Sequence, residues 1–221
     1  DCKDDIRKDI KEFCKGFLDD KGKAELVVAK SNGSFVYAKE LVEAINLRHV
    51  DSSDLEQLPA TLSAIFMTNF HRIIGGENYS LYKPLISLLL VAQEPVQKKT
   101  IRNVLDIEDE KLNDLISRLK SFINVAIDPH GLQKVSVYHK SISDWFFSPE
   151  SSSYKISKED AHHVISDYLV KHLDEVENDE YLSKYAYTHL RNAKQWVNLD
   201  YQQKKKLLLS CISASDKFGN L

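Results

Sequence analysis

Glycine and proline are scarce in this chain, seven and five residues among 221. Folds made of many short strands need those residues at their turns, so the shortage argues against a turn-rich all-β architecture. Cysteine is scarcer still. Cys2, Cys14 and Cys211 are odd in number and widely spaced. They form no CxxC pair and no disulfide framework, which suits a reducing compartment and a cytoplasmic protein. No run of about 18 apolar residues is present, so no transmembrane helix is expected. The opening DCKDDIRKDIKEF is charged and helical in pattern, unlike a signal peptide. Neither sign of charge dominates. Lys and Arg number 30 against 33 Asp and Glu, a net charge of −3, which gives no general pull toward nucleic acid or an anionic membrane.

Several catalytic signatures are also missing. A phosphate-cradling loop needs GxxxxGK[ST] after a strand. Gly33-Ser34 and Gly75-Gly76 lack both the lysine and the strand, which argues against ATP hydrolysis by this chain alone. HExxH, the zinc-protease helix, is absent. His162 and His163 are neighbours on a helical stretch, so their side chains diverge by about 100°. They do not share one metal easily and read as a solvated helix face. His139, Ser141 and Asp144 supply the residue types of a Ser/His/Asp triad. All three fall within six residues, with neither a nucleophile elbow nor an oxyanion nest. That is chance co-occurrence, and no enzymatic activity is expected of the chain.

What is present is a core-forming helical pattern. Hydrophobic residues make up 43% and charged residues 29%, the balance of an ordinary globular protein. Apolar periodicity near 3.6 predicts helices over 4–18, 23–29, 34–47 and 59–74, joined by a polar link over 51–58. Ile6, Ile10, Phe13 and Phe17 share the inner face of the first. Lys30-Ser31-Asn32-Gly33 stops the second, because Asn and Gly tolerate the left-handed conformation. Phe35, Ala38, Leu41, Val42 and Ile45 stripe the third, and Leu62, Ile65, Phe66, Phe70 and Ile73 the fourth. A turn at 75–78 closes this unit. The apolar stretch over 82–92 follows, then helices over 97–105 and 108–122. Two short alternating segments, 125–127 and 135–138, flank Asp128-Pro129-His130-Gly131 and predict a β-hairpin. Three helices followed by a two-stranded wing is the winged-helix order. After a Ser-rich linker over 148–153, helices are expected over 157–173, 180–193 and 201–214, with Val164, Ile165, Tyr168 and Leu169 inward in the first. The expected fold is therefore mainly α: a helical subdomain (1–78), a winged helix with a small β-hairpin (79–148) and a further helical subdomain (149–221). The start within a helical pattern reads as a piece of a longer protein.

The stretch KVSVYHKSISDWFF, 134–147, draws the chain together. Val135 and Val137 alternate with Ser136 and Tyr138 as in a half-buried strand. Ile142, Trp145 and Phe146 then fall at helical spacing, with Ser141 a plausible N-cap and Asp144 three residues later. His139 stands at the junction, near the free N–H groups and positive end of a helix, where a phosphate is readily received. More often such a histidine is a packed or capping side chain. A winged helix also raises the question of DNA, which its third helix would enter. Here that helix opens Glu108-Asp109-Glu110, with Asp106 before it and Asp114 within, against Lys111, Arg118 and Lys120. The end that should approach phosphates is acidic, and the wing adds only His130 and Lys134. Protein packing is the better use.

Four segments then carry a resemblance: KSNGSFVYAKELVEAI, LPATLSAIFMTNFHRI, YKPLISLLLVAQEPVQKKTIRNVL and VYHKSISDWFF. In this order the chain resembles the winged-helix and flanking helical subdomains of NACHT-type STAND NTPases, large proteins carrying ankyrin, TPR or WD40 repeats. The resemblance spans about residues 4–192, and HKSxxDW and GSFVYA are its most specific parts. It implies an ADP/ATP-dependent switch that oligomerises when activated. A winged-helix histidine in a segment like FxHxSFxEF touches the β-phosphate of ADP there, and VYHKSISDWFF puts His139 in that position, with Ser141 and Trp145 in matching slots. A GxP proline that touches adenine in many relatives is absent here, where the sequence reads Asn32-Gly33-Ser34-Phe35. The resemblance thus carries over no adenine contact. ADP/ATP would be held only in a longer parent, with an upstream nucleotide-binding domain and a downstream repeat domain as partners. Two rival readings stand beside the switch. One is a protein-interaction scaffold that binds protein partners or itself without nucleotide. The other is a DNA-binding winged helix.

Overall fold

The computed structural model describes residues 2–46, 61–74 and 79–218, with side chains from residue 5 to residue 213 within those ranges. The polar link over 51–58, the helix start at Pro59 and the turn over 75–78 lie outside the described residues. The fold is mainly α with one small antiparallel sheet. The chain divides into two compact units, Asp1–Gly76 and Glu77–Leu221.

The first unit contains α1 (Cys2–Phe17), α2 (Lys21–Ser31), α3 (Phe35–Asn46) and α4 (Leu62–Ile74). Asp20 caps α2 by accepting from Gly22 N at 2.7 Å. Asn32, with φ 45°, ends that helix in the left-handed conformation, and Gly33 follows at φ 82°. This is the stop the Asn-Gly pair predicted. The core gathers Ile10, Cys14, Leu18, Val27, Leu41, Val42 and Ile65. The inner face of α1 is rotated from the expected one. Cys14 is fully buried, whereas Ile6 and Phe17 are exposed and Phe13 is only partly buried. The Phe13 ring instead contacts those of Phe17 and Phe35, with centroids 4.9 and 5.0 Å away. Aromatic pairs hold together in this way at a partly wet surface.

The second unit opens with α5 (Tyr79–Val91), in which Leu85, Ile86, Leu88, Leu89, Leu90 and Val91 are all buried. Burial of each such side chain stabilises by about 1.5–3 kcal/mol, which offsets the hydrogen bond forfeited at Pro84. Then come β1 (Val96–Gln97), α6 (Lys98–Leu105), α7 (Asp109–Arg118), β2 (Ile123–Ile127) and β3 (Gln133–Val137). The helix–strand–helix–helix–strand–strand order and the sheet order β1-β3-β2 give the winged-helix arrangement expected, with one strand more. β1 has two residues, too few to show a period. It pairs Val96 with Val135, and Val135 pairs with Val125 on the other side. Asp128 shapes the hairpin turn. It accepts from His130 N and Leu132 N at 2.9 Å each, and Gly131 takes φ 80°.

The chain continues through α8 (Lys140–Phe147) into a 3-10 turn, Pro149–Tyr154. The Ser-rich linker expected there is packed structure. Ser151 is fully buried and donates to Ser148 O at 2.9 Å, and the Tyr79 hydroxyl donates to Tyr154 O at 2.7 Å. Next are α9 (Lys158–Lys171), α10 (Glu180–Asn192) and α11 (Tyr201–Phe218). Ser157 caps α9, accepting from Asp160 N at 3.0 Å as its SKED sequence predicts. Three polar ties bind α10 to the winged-helix elements. Thr100 Oγ1 donates to Asp179 at 2.6 Å, Gln93 N donates to the Tyr181 hydroxyl at 3.2 Å, and Lys184 and Tyr185 both donate to Glu94 at 3.1 Å.

Candidate functional site

The strand–helix junction is built as the sequence suggests. β3 ends at Val137, and Tyr138 N donates to Phe122 O at 2.9 Å, which holds the chain against the end of α7. His139 stays extended, with φ −150° and ψ 149°, and α8 begins at Lys140. Ile142, Trp145 and Phe146 are buried, and the Phe146 ring lies edge-on to Phe122 with centroids 6.4 Å apart. The apolar face anchors α8 and leaves His139 and Lys140 exposed at its N-terminus.

His139, rather than Ser141, is the N-cap. Ser141 N donates to His139 Nδ1 at 3.1 Å, and Ser141 Oγ lies 2.9 Å from the same nitrogen. A ring nitrogen that accepts a backbone N–H carries no proton of its own. The neutral ring therefore holds its proton on Nε2, the nitrogen the cap leaves unused. The capping role and a phosphate-facing role are compatible, since they use different ring atoms. His139 and Ser141 meet, but no hydrogen bond joins Asp144 to His139 among the described residues. The arrangement is a cap and not a relay.

A second cluster was not foreseen. His162, placed on a solvated face by the sequence reading, is buried; Val164 and Tyr168, expected inward, are only half-buried. The buried stripe of α9 runs His162, Ile165, Ser166, Leu169, at i, i+3, i+4 and i+7, and that spacing was the available signal. His162 Nδ1 lies 2.9 Å from His189 Nδ1, across from α9 to α10. His189 Nε2 is 3.0 Å from the Tyr181 hydroxyl, and His162 Nε2 is 3.2 Å from the Asn192 amide. Two nitrogens that close share one proton between them, so each ring is held by a donor on one side and an acceptor on the other. Burial pushes both rings toward the neutral form. His162 falls to about 4, with Lys158 adding to the effect, and His189 to about 3, with His162 adding. Among the described residues no group of three or more His, Cys, Asp or Glu converges to hold a metal, and the pair reads as an interhelical clasp.

The helix that a DNA-binding winged helix would turn toward the groove keeps its acids. Asp109 and Glu110 occupy the first turn of α7, Arg118 is paired with Asp114 at 2.9 Å, and Arg102 with Asp109 at 3.1 Å. Lys134 of the wing lies 3.6 Å from Asp128. No helix among the described residues is long and apolar enough to cross a membrane. No family model, curated protein or solved structure matches the chain.

Proposed function

We propose that this chain is a regulatory, non-catalytic segment of a nucleotide-dependent signalling switch of the NACHT/STAND type. In this reading His139 closes over ADP held by an upstream nucleotide-binding domain, and the closed state restrains oligomerisation. The observation that carries the reading is the state of His139. It is exposed at the start of a helix, and its Nδ1 is committed to Ser141 N. That leaves an Nε2–H as donor beside the positive helix end and Lys140, the chemistry a phosphate oxygen accepts from. When bound, the nucleotide would supply the charge that distinguishes closed from open. This chain's own part is to hold the ring in one tautomer and offer a donor.

A ligand shifts a conformational equilibrium only through a difference in its contacts between the two states. One charge-assisted hydrogen bond is worth about 1.5–3 kcal/mol, so its loss shifts the population about ten- to a hundredfold. The test is His139→Ala in the full-length parent, followed by light scattering with ADP present. Higher basal oligomerisation is expected. An unchanged oligomer size with ADP bound would sink the proposal.

The second reading, a protein-interaction scaffold without nucleotide binding, draws on the wing. Val125, Ile127 and Leu132 are exposed there, Ile127 to 70%, although a wing used only for packing within the chain would bury them. A full-length protein that binds no ADP would favour it. DNA binding is the weakest of the three, because α7 opens on Asp109 and Glu110 and both Arg102 and Arg118 are already paired with acids.

A further inference from the structure

β2 leaves one edge of the sheet bare. The strand order β1-β3-β2 gives it a partner on one side only. Two bonds fix which of its backbone groups face that partner. Tyr138 N donates to Phe122 O and Asp128 N to Leu132 O, each at 2.9 Å. Phe122 and Asp128 bracket β2, and the bonding side of an antiparallel strand alternates with each residue. Asn124 and Ala126 therefore bond to β3, opposite Ser136 and Lys134, and Ile123, Val125 and Ile127 turn their N–H and C=O groups outward. Ile123 N is taken by Leu119 O at 3.1 Å. No other described residue reaches the outward groups of Val125 or Ile127 with a hydrogen bond. Such a row of unpaired groups is a template for another strand. The usual guards are missing, since Ile123–Ile127 reads INVAI, without proline or charge, and Val125 and Ile127 are both exposed.

The free groups complement themselves. Two copies of β2, antiparallel about a two-fold axis at Ala126, set Val125 of each opposite Ile127 of the other. Each such pair exchanges two bonds, so the N–H and C=O of both residues are satisfied in both copies. Moving the axis to Val125 leaves Ile127 C=O unpaired, because the N–H it would meet, that of Ile123, is spent. Moving it to Ile127 leaves Val125 C=O facing Pro129, which has no N–H. The side chains agree with the same axis. Val125 and Ile127 make apolar cross-strand pairs. The small, exposed Ala126 meets itself at the closest point, and Asn124 stands opposite the Asp128 carboxylate. No like charges oppose one another in this ladder. A foreign strand would match the backbone; the side-chain match is built into a second copy. We propose that β2 is a docking edge for a second copy of this chain, which joins the two sheets through their β2 strands. The pairing needs no nucleotide and stands apart from the reading of His139. An interface of this size belongs with the weak, transient ones, so a dissociation constant of about 100 μM is expected.

The experiment is sedimentation velocity of the whole chain, without nucleotide, over a dilution series reaching about 1 mM, ten times the expected constant. A reversible dimer is expected. Ile127→Lys, which sets a charge opposite Val125, should weaken it about tenfold or more. Ile127→Pro removes an outward N–H and no bond to β3, and should do the same. Crosslinking with diamide then reads the register. In the dimer the two Ala126 Cα atoms are about 4.5 Å apart, within disulfide reach, whereas the two Asn124 Cα atoms are about 14 Å apart. Ala126→Cys should therefore give a covalent dimer on a non-reducing gel, and Asn124→Cys no more than the unaltered chain, whose own cysteines set the background. Should a variant not fold, the dilution series on the unaltered chain still decides. A monomer at every concentration overturns the proposal. So does a dimer that both Ile127 variants leave intact, or equal crosslinking through positions 124 and 126.

Discussion

Glu40 shows how a single residue can work against the unit that holds it. It lies in α3 at 1% exposure, and neither carboxylate oxygen reaches hydrogen-bond geometry with another described residue. Burial raises its pKa to about 7, and Glu43 adds to the rise, while Lys39 and the nearby Asn69 amide offset little of it. The folded state thus favours the protonated acid. Stability of the first unit should be greatest below the ordinary carboxylate range near 4.5 and should decline as pH rises through 7, then level off. The full cost is on the order of 3 kcal/mol. Glu40→Gln should remove most of this slope and raise the urea midpoint at pH 8, by an amount equivalent to about 1–3 kcal/mol. A midpoint equally pH-dependent in the variant would contradict the assignment. Sequence periodicity placed Leu41 and Ile45 correctly, but a glutamate next to Leu41 carries no mark of its burial.

At the scale of elements, the His162–His189 contact joins α9 to α10, and Tyr181 extends it to the end of α5 through Gln93 N. Both rings are neutral in the fold, with pKa values pulled below the ordinary histidine value near 6.5. Unfolded histidines take up protons as pH falls below 6.5, whereas the folded pair does not until about 4. The stabilisation is therefore complete above 6.5 and is lost progressively as the solution is acidified. Between pH 6.5 and 5 the loss should be about 1.5 kcal/mol per histidine. Urea denaturation of the whole chain at those two pH values measures it. The H162L/H189L pair should show a shallower dependence, and an equal dependence would mean that other groups govern the acid response. The same scale explains the extra strand. β1 exists because β3 offers it a free edge, and two residues become a strand only through their partner.

For the whole molecule, the division into Asp1–Gly76 and Glu77–Leu221 leads to a direct expectation. The second unit has its own core around α5, and polar ties from α10 to Gln93, Glu94 and Thr100 join its winged-helix and terminal helical elements. A fragment comprising residues 77–221 should fold by itself, with a helical circular dichroism spectrum and one cooperative melt. Two separated transitions, or no transition, would show that winged helix and terminal helices are not one cooperative body. Thr100→Val should lower the melting temperature of that fragment, because it leaves part of Asp179 unsatisfied at a cost of about 1–3 kcal/mol.

The sequence by itself determined the helical class, the stop at Asn32-Gly33, the cap at Ser157, the hairpin around Asp128–Gly131 and the buried run of α5. Each of these follows from local chemistry: backbone permissiveness, a capping hydroxyl, a turn carboxylate, a continuous apolar stretch. It also led to His139 at the junction and to a capping role as one of its readings, but named Ser141 as the N-cap; that His139 caps instead depends on where Ser141 N falls once α8 is docked by Trp145 and Phe146. Only the tertiary structure decided the rest. Which face of α1 or α9 turns inward, whether Ser151 is linker or core, and whether His162 meets His189 27 residues away all depend on what a neighbouring element presents. A periodic pattern states that a face exists, but the partner across the interface chooses which side chains it buries.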